Sequence, residues 1–327
     1  MIHADFRRDA LERWLATQLG GARFSLTPAS EDASFRRYFR ATLDDGASYV
    51  AMDAPPEKED CRAFVHVAAL LCDAGVHAPQ VHAQDLRQGF LLLADLGTRT
   101  YLQELNAGNA AALFADATDA LIRWQLATRA AELPPYDEAL LRREMQLFPD
   151  WYVSRHLAVS LSKKQSESLE EIFALLVKIA LAQPQVYVHR DYMPRNLMLS
   201  NPNPGVLDFQ DAVMGPISYD MVSLTRDAFL SWDEERVLDW SARYWQKAKD
   251  AGLPVDADFG EFWRAFEWMG LQRHLKVLGI FARINYRDGK PKYLQDTPRF
   301  IGYARDVAKR YTALSPLIRL LDELRCE

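Results

Sequence analysis

The chain has 327 residues, 49% of them hydrophobic and 26% charged, with a formal net charge of −6. That balance suits a globular protein large enough for two lobes and offers no basic face for nucleic acid. No run approaches the roughly 18 apolar residues of a membrane-spanning helix. Cys61, Cys72 and Cys326 are an odd count without paired spacing, so neither a disulfide nor a zinc site is expected. The start, Met1 to Arg8, carries charges early and lacks the apolar segment of a secretory signal, which points to a reducing cytoplasm.

The first 95 residues mix strands with two helices. Arg8 to Leu19 reads as an amphipathic helix stopped by Gly20-Gly21. Phe24 to Leu26, Phe35 to Ala41 and Ser48 to Met52 read as strands, and Pro55-Pro56 ends the last of these. Between the first two lies a polar hairpin, Ser30 to Arg40, placed as a lid over nucleotide phosphates should be. It is not glycine-rich, but Ser34 and backbone N–H groups suit phosphate oxygens. Phe35 and Phe39 are expected to face the core, while Arg36, Arg37 and Arg40 alternate with them. Glu57 to Ala74 reads as a helix with Phe64, Val67, Ala68, Leu70 and Leu71 on its apolar face. Val81 to Ala83 and Phe90 to Leu93 are two more strands.

After Asp95-Leu96-Gly97, the expected hinge, residues 100 to 183 and 217 to 326 show helical patterns. The expected architecture is therefore α+β and bilobal, with a small β-rich lobe over 1–95 and a larger, mainly helical lobe over 96–327. A nucleotide is expected in the cleft between lobes. Backbone of Leu91 to Asp95, with Leu93 and Asp95 as its cofactor-binding positions, is where adenine would lie.

Between the helical stretches stands the chemistry-bearing segment. It reads His189-Arg190-Asp191-Tyr192-Met193-Pro194-Arg195-Asn196, with Asp208-Phe209 twelve residues on. Leu197 to Leu199 and Val206-Leu207 are short apolar runs around the turn residues Asn201-Pro202-Asn203-Pro204-Gly205. Antiparallel pairing of those runs would bring Asn196 and Asp208 to one end of a hairpin, where one Mg²⁺ could bridge them. Asp191 is placed to accept the proton of an attacking hydroxyl. These are the parts that phosphoryl transfer from MgATP uses in kinases. His189 is expected to position the loop, Asp220 to brace its backbone, and Asp211 to support the metal indirectly. One part is missing: the third strand, Tyr49 to Ala54, has no lysine for the phosphates. Lys58 just beyond it is one replacement, an arginine of the lid is another, and the third alternative is that metal and backbone hold the phosphates.

His189-x-Asp191-x4-Asn196, Asp208-Phe209 and Gly215-Pro216-x2-Tyr219-Asp220 resemble the aminoglycoside phosphotransferase family, over almost the whole chain. The resemblance implies a protein-kinase-like fold that phosphorylates small hydroxyl-bearing molecules. Phe35 to Arg40, Met52 to Glu57 and Gln272 to Arg283 further resemble the bacterial anomeric sugar kinases. That implies N-acetylmuramate or N-acetylglucosamine as acceptor, a sugar 1-phosphate as product, and a role in cell-wall recycling by a monomer. Carboxylates and aromatic faces suit sugars, so Glu144 and Trp151, near Phe148, Asp150 and Tyr152, are substrate-binding candidates. On Phe262 to Ile284, Arg273 and Lys276 are i, i+3 cations suited to a lactyl carboxylate. An aminoglycoside, choline or homoserine kinase is the alternative of the same fold, and a nucleotide-binding pseudokinase the alternative without turnover.

Overall fold

The structure, a computed structural model, describes residues 5–30 and 35–326. It forms two compact units. The first is Met1–Ala127 with Pro194–Asp211, and the second is Thr128–Met193 with Ala212–Glu327. Residue 95 ends the strand layer, whereas the units divide at 127 and exchange the 194–211 segment. The chain is α+β, with its larger sheet at the N-terminal end and helices dominating beyond it.

In the first unit, five antiparallel strands lie in the order β1-β2-β3-β5-β4. They are β1 (Phe24–Ser30), β2 (Arg37–Leu43), β3 (Ser48–Asp53), β4 (Val81–Asp85) and β5 (Phe90–Ala94). Side chains alternate between the two faces of each strand. Phe39, Ala51, Phe90 and Leu92 therefore share one face, covered by Leu11 and Leu15 of α1 (Phe6–Gln18). Tyr38, Arg40, Val50 and Leu93 take the other face, which lines a cavity. The α1 helix is also tied down by charge. The Arg7 Nε and Arg37 Nε groups donate to the fully buried Asp53 carboxylate at 2.9 and 3.0 Å.

Two expectations fail locally. Phe35 is 62% exposed, because β2 begins only at Arg37 and the alternation does not reach back to it. The second helix, α2 (Cys61–Asp73), starts four residues later than its apolar pattern suggests. The Lys58 and Glu59 N–H groups close a turn on the Pro55 carbonyl, and the Asp60 side chain caps Arg62 N–H. The short helix α3 (Tyr101–Glu104), α4 (Ala110–Leu126) and a hairpin of β7 (Leu197–Met198) with β8 (Gly205–Val206) complete this unit.

The second unit is built from α5 (Glu138–Met145), a π-helix (Phe148–His156), α6 (Lys163–Ala182), and α7 (Tyr219–Thr225) to α11 (Ser315–Glu323). Strands β6 (Gln185–Val188) and β9 (Val213–Pro216) pair antiparallel. Its axis is α9 (Phe259–Asp288), capped by Asp258 at its start and by left-handed Gly289 at its end. This helix is buried on nearly all sides from Phe266 to Ala282, as a helix at the centre of a bundle must be. At Gly279 the backbone of Leu147 comes so close that a Cβ would sit 2.3 Å from its carbonyl carbon. Gly279→Ala is therefore expected to cost about 1–3 kcal/mol by overpacking. Thermal denaturation checks this, and an unchanged midpoint would show that the two backbones are not held so close.

Candidate active site

The hairpin in the first unit brings Asn196 and Asp208 together. Leu197 pairs with Val206, the Leu207 N–H donates to the Asn196 carbonyl at 2.9 Å, and the two side chains leave at the same end. There the Asn196 amide lies 3.3 Å from an Asp208 carboxylate oxygen. The Gln210 amide donates to the other oxygen at 2.9 Å. Asp208 holds a left-handed φ of 62°, a conformation a non-glycine residue keeps only where its surroundings impose it. One carboxylate and one amide oxygen suit hard Mg²⁺, which takes few protein ligands and completes its octahedron with water and phosphate. Among the described residues no three His, Cys, Asp or Glu gather as a metal site. The donor set thus fits a magnesium–nucleotide complex rather than a self-sufficient protein cage.

Asn196 and Asp208 lie in the wall of a cavity of about 310 Å³. Val50, Leu93, Met198, Leu207 and Phe209 make it largely apolar, with the Asp95-Leu96-Gly97 segment along it. Of the cofactor-binding candidates, Leu93 and Asp95 are in this wall. The Asp95 carboxylate is already taken: Arg40 grips it at 2.6 and 3.0 Å and also donates to the Gly97 carbonyl at 2.8 Å. Burial works to raise its pKa, but this grip and the Gly97 N–H hold it below the usual value. Lys58 is not in the wall. It is exposed, with its ammonium 5.2 Å from the centre of the Phe35 ring. Ser34 lies outside the described residues. Asp211 lines a second, smaller hollow beside Arg36, Met52, Glu59 and Gln210.

The loop bearing Asp191 belongs to the second unit and is set by one carboxylate. Fully buried Asp220, at the start of α7, accepts the His189 N–H at 2.7 Å and the Arg190 N–H at 2.9 Å. Burial drives the Asp220 pKa up to about 7, against the two hydrogen bonds and the Arg273 charge. Arg190 takes a left-handed φ of 75° as the chain turns. The buried His189 ring stands edge-on to Tyr192, in keeping with a positioning role. Asp191 itself is partly exposed.

Next to this loop is a buried charge cluster centred on Glu144, which is 6% exposed. The Lys276 ammonium is 2.9 Å from its carboxylate. Arg190 and the Tyr136 hydroxyl also donate to it. Lys276 further donates to the Tyr219 hydroxyl at 3.1 Å, and the Gln272 amide reaches Tyr136 at 3.4 Å. Burial alone would raise the Glu144 pKa, but Lys276 and Arg190 outweigh it and hold it at about 2. Asp191 is near enough to act electrostatically on both cations.

The candidates Glu144 and Lys276 are thus brought together, but Arg273 and Trp151 do not join them. Arg273 turns inward, 2% exposed, to the Arg226 carbonyl at 3.4 Å and toward Asp220 and Asp227. Three residues along a helix turn a side chain by some 60°, which here separates the two cations. Trp151 sits half-buried on the π-helix and is not among the contacts of Glu144. Gln272, a candidate on the same helix as Lys276, joins the cluster, and Arg190, Tyr136 and Tyr219 belong to it without having been singled out as acceptor contacts. Gln272 is i−4 to Lys276, the helical spacing that puts the two side by side. Tyr136 carried no such signal.

The sequence model of the phosphotransferase enzyme family matches residues 25–259. The N-acetylmuramate/N-acetylglucosamine kinase of Pseudomonas putida is 55% identical, over 99% of this chain and 98% of that one. The protein of the same name from Pseudomonas aeruginosa is 59% identical, over 91% and 88%. An ADP-bound aminoglycoside phosphotransferase shares the fold with a TM-score of 0.59 at 15% identity, covering 91% of this chain and 98% of that one. The fold is thus the protein-kinase-like one, and the chain belongs to the phosphotransferase enzyme family as a kinase.

Proposed function

We propose that the chain transfers the γ-phosphoryl group of ATP to the anomeric hydroxyl of N-acetylmuramate or N-acetylglucosamine. The product is the sugar 1-phosphate, and the setting is cell-wall recycling in the cytoplasm, by a monomer. Among the described residues no helix is long and apolar enough to cross a membrane, which fits that setting. The observation that carries the phosphotransfer is the Asn196–Asp208 pair in the wall of the 310 Å³ cavity. The sugar comes from the named relatives.

In this reading Asn196 and Asp208 hold Mg²⁺, which when bound offsets charge on the phosphate oxygens. The apolar cavity takes the adenine, with the Leu91 to Asp95 backbone along its edge. Asp191 accepts the proton of the sugar hydroxyl as its oxygen bonds to the γ-phosphorus, and the bond to the β-bridging oxygen breaks to release ADP. Such transfer rests on positioning and charge stabilisation more than on covalent chemistry by the protein. Asp220 supports it by fixing the two N–H groups immediately before Asp191. The Glu144 cluster is the acceptor's polar wall, with Lys276 and Arg190 as cations and Glu144 as the partner that orients them. With Asp191 acting on the same two cations, the carboxylates are matched by Lys276 and Arg190, so the wall has no surplus of negative charge for a polycationic aminoglycoside.

The test is ADP release with MgATP across N-acetylmuramate, N-acetylglucosamine, glucose, kanamycin and choline. Turnover of the N-acetyl sugars, with an acid-labile, alkali-stable phosphate, is the expected result. Turnover of kanamycin or choline alone would keep the chemistry and overturn the acceptor. Nucleotide binding without any turnover would point to the pseudokinase.

A further inference from the structure

Strand β3 carries no lysine, yet a kinase needs a fixed cation beside the nucleotide phosphates. The basic residues around the sheet can be sorted by what they already hold. Arg7 and Arg37 are committed to Asp53, and Arg40 is committed to Asp95 and Gly97. Lys58 is exposed and stands over Phe35.

Arg36 is different. It sits just before β2, with a side chain only 14% exposed. It shares a hollow of about 100 Å³ with Met52, the β3 residue two beyond Val50 and hence on the same face of the sheet. Val50 lines the larger cavity, so that face carries on from the apolar cavity into the hollow. The Arg36 Nε is 3.7 Å from a Glu59 carboxylate oxygen. Asp208 and Asp211 act on its charge as well, from the segment that holds the proposed metal pair. A cation between a fixing carboxylate on one side and the metal carboxylate on the other is the arrangement that lysine and glutamate give in other kinases. Here an arginine just before the neighbouring strand reaches the place that Met52 leaves without charge.

We infer that Arg36 is the phosphate-contacting cation of this enzyme, replacing the absent strand lysine, and that Glu59 holds it in place. The inference rests on the kinase reading above and specifies its nucleotide site. A guanidinium offers two parallel N–H donors, so it can bridge oxygens of adjacent phosphates where a lysine gives a single point charge. Glu59 is a positioning residue: it does not touch the nucleotide and acts through the orientation of Arg36.

The test is calorimetric binding of MgADP, and competition binding of adenosine, to the full chain and to the Arg36→Gln, Arg36→Lys and Glu59→Gln variants. Arg36→Gln is expected to weaken MgADP on the order of 10- to 100-fold and to leave adenosine within about twofold, since adenosine has no phosphate to lose. Arg36→Lys should recover part of the loss. Glu59→Gln should show a smaller loss with the same MgADP-to-adenosine contrast. In turnover, the KM for ATP should rise in Arg36→Gln with the sugar KM unchanged. Equal weakening of MgADP and adenosine would overturn the inference, because it would mean that Arg36 only supports the fold. Unchanged MgADP affinity in Arg36→Gln would overturn it as well, and would hand the role to Arg195, the exposed arginine of the larger cavity wall. Should Arg36→Gln fail to fold, the MgADP-to-adenosine ratio in Arg36→Lys and Glu59→Gln decides. An active nucleotide site that phosphorylates none of the sugars would sink the proposed acceptor and leave the Arg36 result standing.

Discussion

Replacing Asp191 with asparagine is expected to lower kcat on the order of 10²–10⁴-fold while MgADP affinity stays unchanged. The asparagine keeps the size and the hydrogen-bonding reach of the side chain but cannot take a proton. The loop should survive the change, because Asp220 holds it through the backbone N–H groups of His189 and Arg190. The proposed acceptor, an anomeric hydroxyl, is more acidic than an ordinary alcohol and asks less of its base, so on that proposal the loss should fall toward the lower end of that range. Steady-state kinetics with the preferred sugar, paired with MgADP calorimetry, separates the two properties. A variant with wild-type kcat would remove Asp191 from the chemistry. A variant with equally weakened nucleotide binding would show that the residue shapes the site instead.

Glu144→Gln should be the most damaging substitution for stability outside the apolar core. It leaves Lys276 and Arg190 buried without the carboxylate that both use, and breaking a buried pair in this way costs about 3–5 kcal/mol. The KM for the sugar should rise too, since neither cation keeps its orientation. The effect also carries a pH signature. The folded-state pKa of Glu144, about 2, lies below its ordinary value of 4.5, so the fold favours the ionised form. The stability this supplies is complete above pH 4.5 and is lost as pH falls through 2. The difference between wild type and Glu144→Gln should therefore narrow as denaturation is followed from pH 7 down to pH 3. A gap of constant size would mean that the loss comes from packing and not from the charge.

Much of the site was legible because it is local. Asn196 and Asp208 flank an eleven-residue hairpin, and the turn residues between them dictate where its ends meet. The sheet was legible for a similar reason, since alternation along Arg37 to Leu43 and Ser48 to Asp53 already separates core side from cavity side. Legibility failed where a residue stands one or two positions outside a regular element. Phe35 reads as core and is exposed, and α2 waits for Asp60 before it can start. It failed again where tertiary packing chooses among the residues of one helix. From Phe266 to Ala282 α9 is buried on nearly all sides, so periodicity could not tell that Lys276 turns to Glu144 while Arg273 turns to the Arg226 carbonyl. Tyr136 was beyond reach altogether, because only the docking of separate segments puts its hydroxyl on Glu144.

The brace on the catalytic loop also bears on how the chain is made. Asp220 lies 31 residues after His189, beyond the hairpin and beyond β9. A nascent chain that has just delivered Asp208 can already close the Asn196–Asp208 hairpin. Its Asp191 loop has nothing to hold its two N–H groups until α7 has emerged and docked. Synthesis thus completes the proposed metal pair before the loop that carries the proposed base takes its shape.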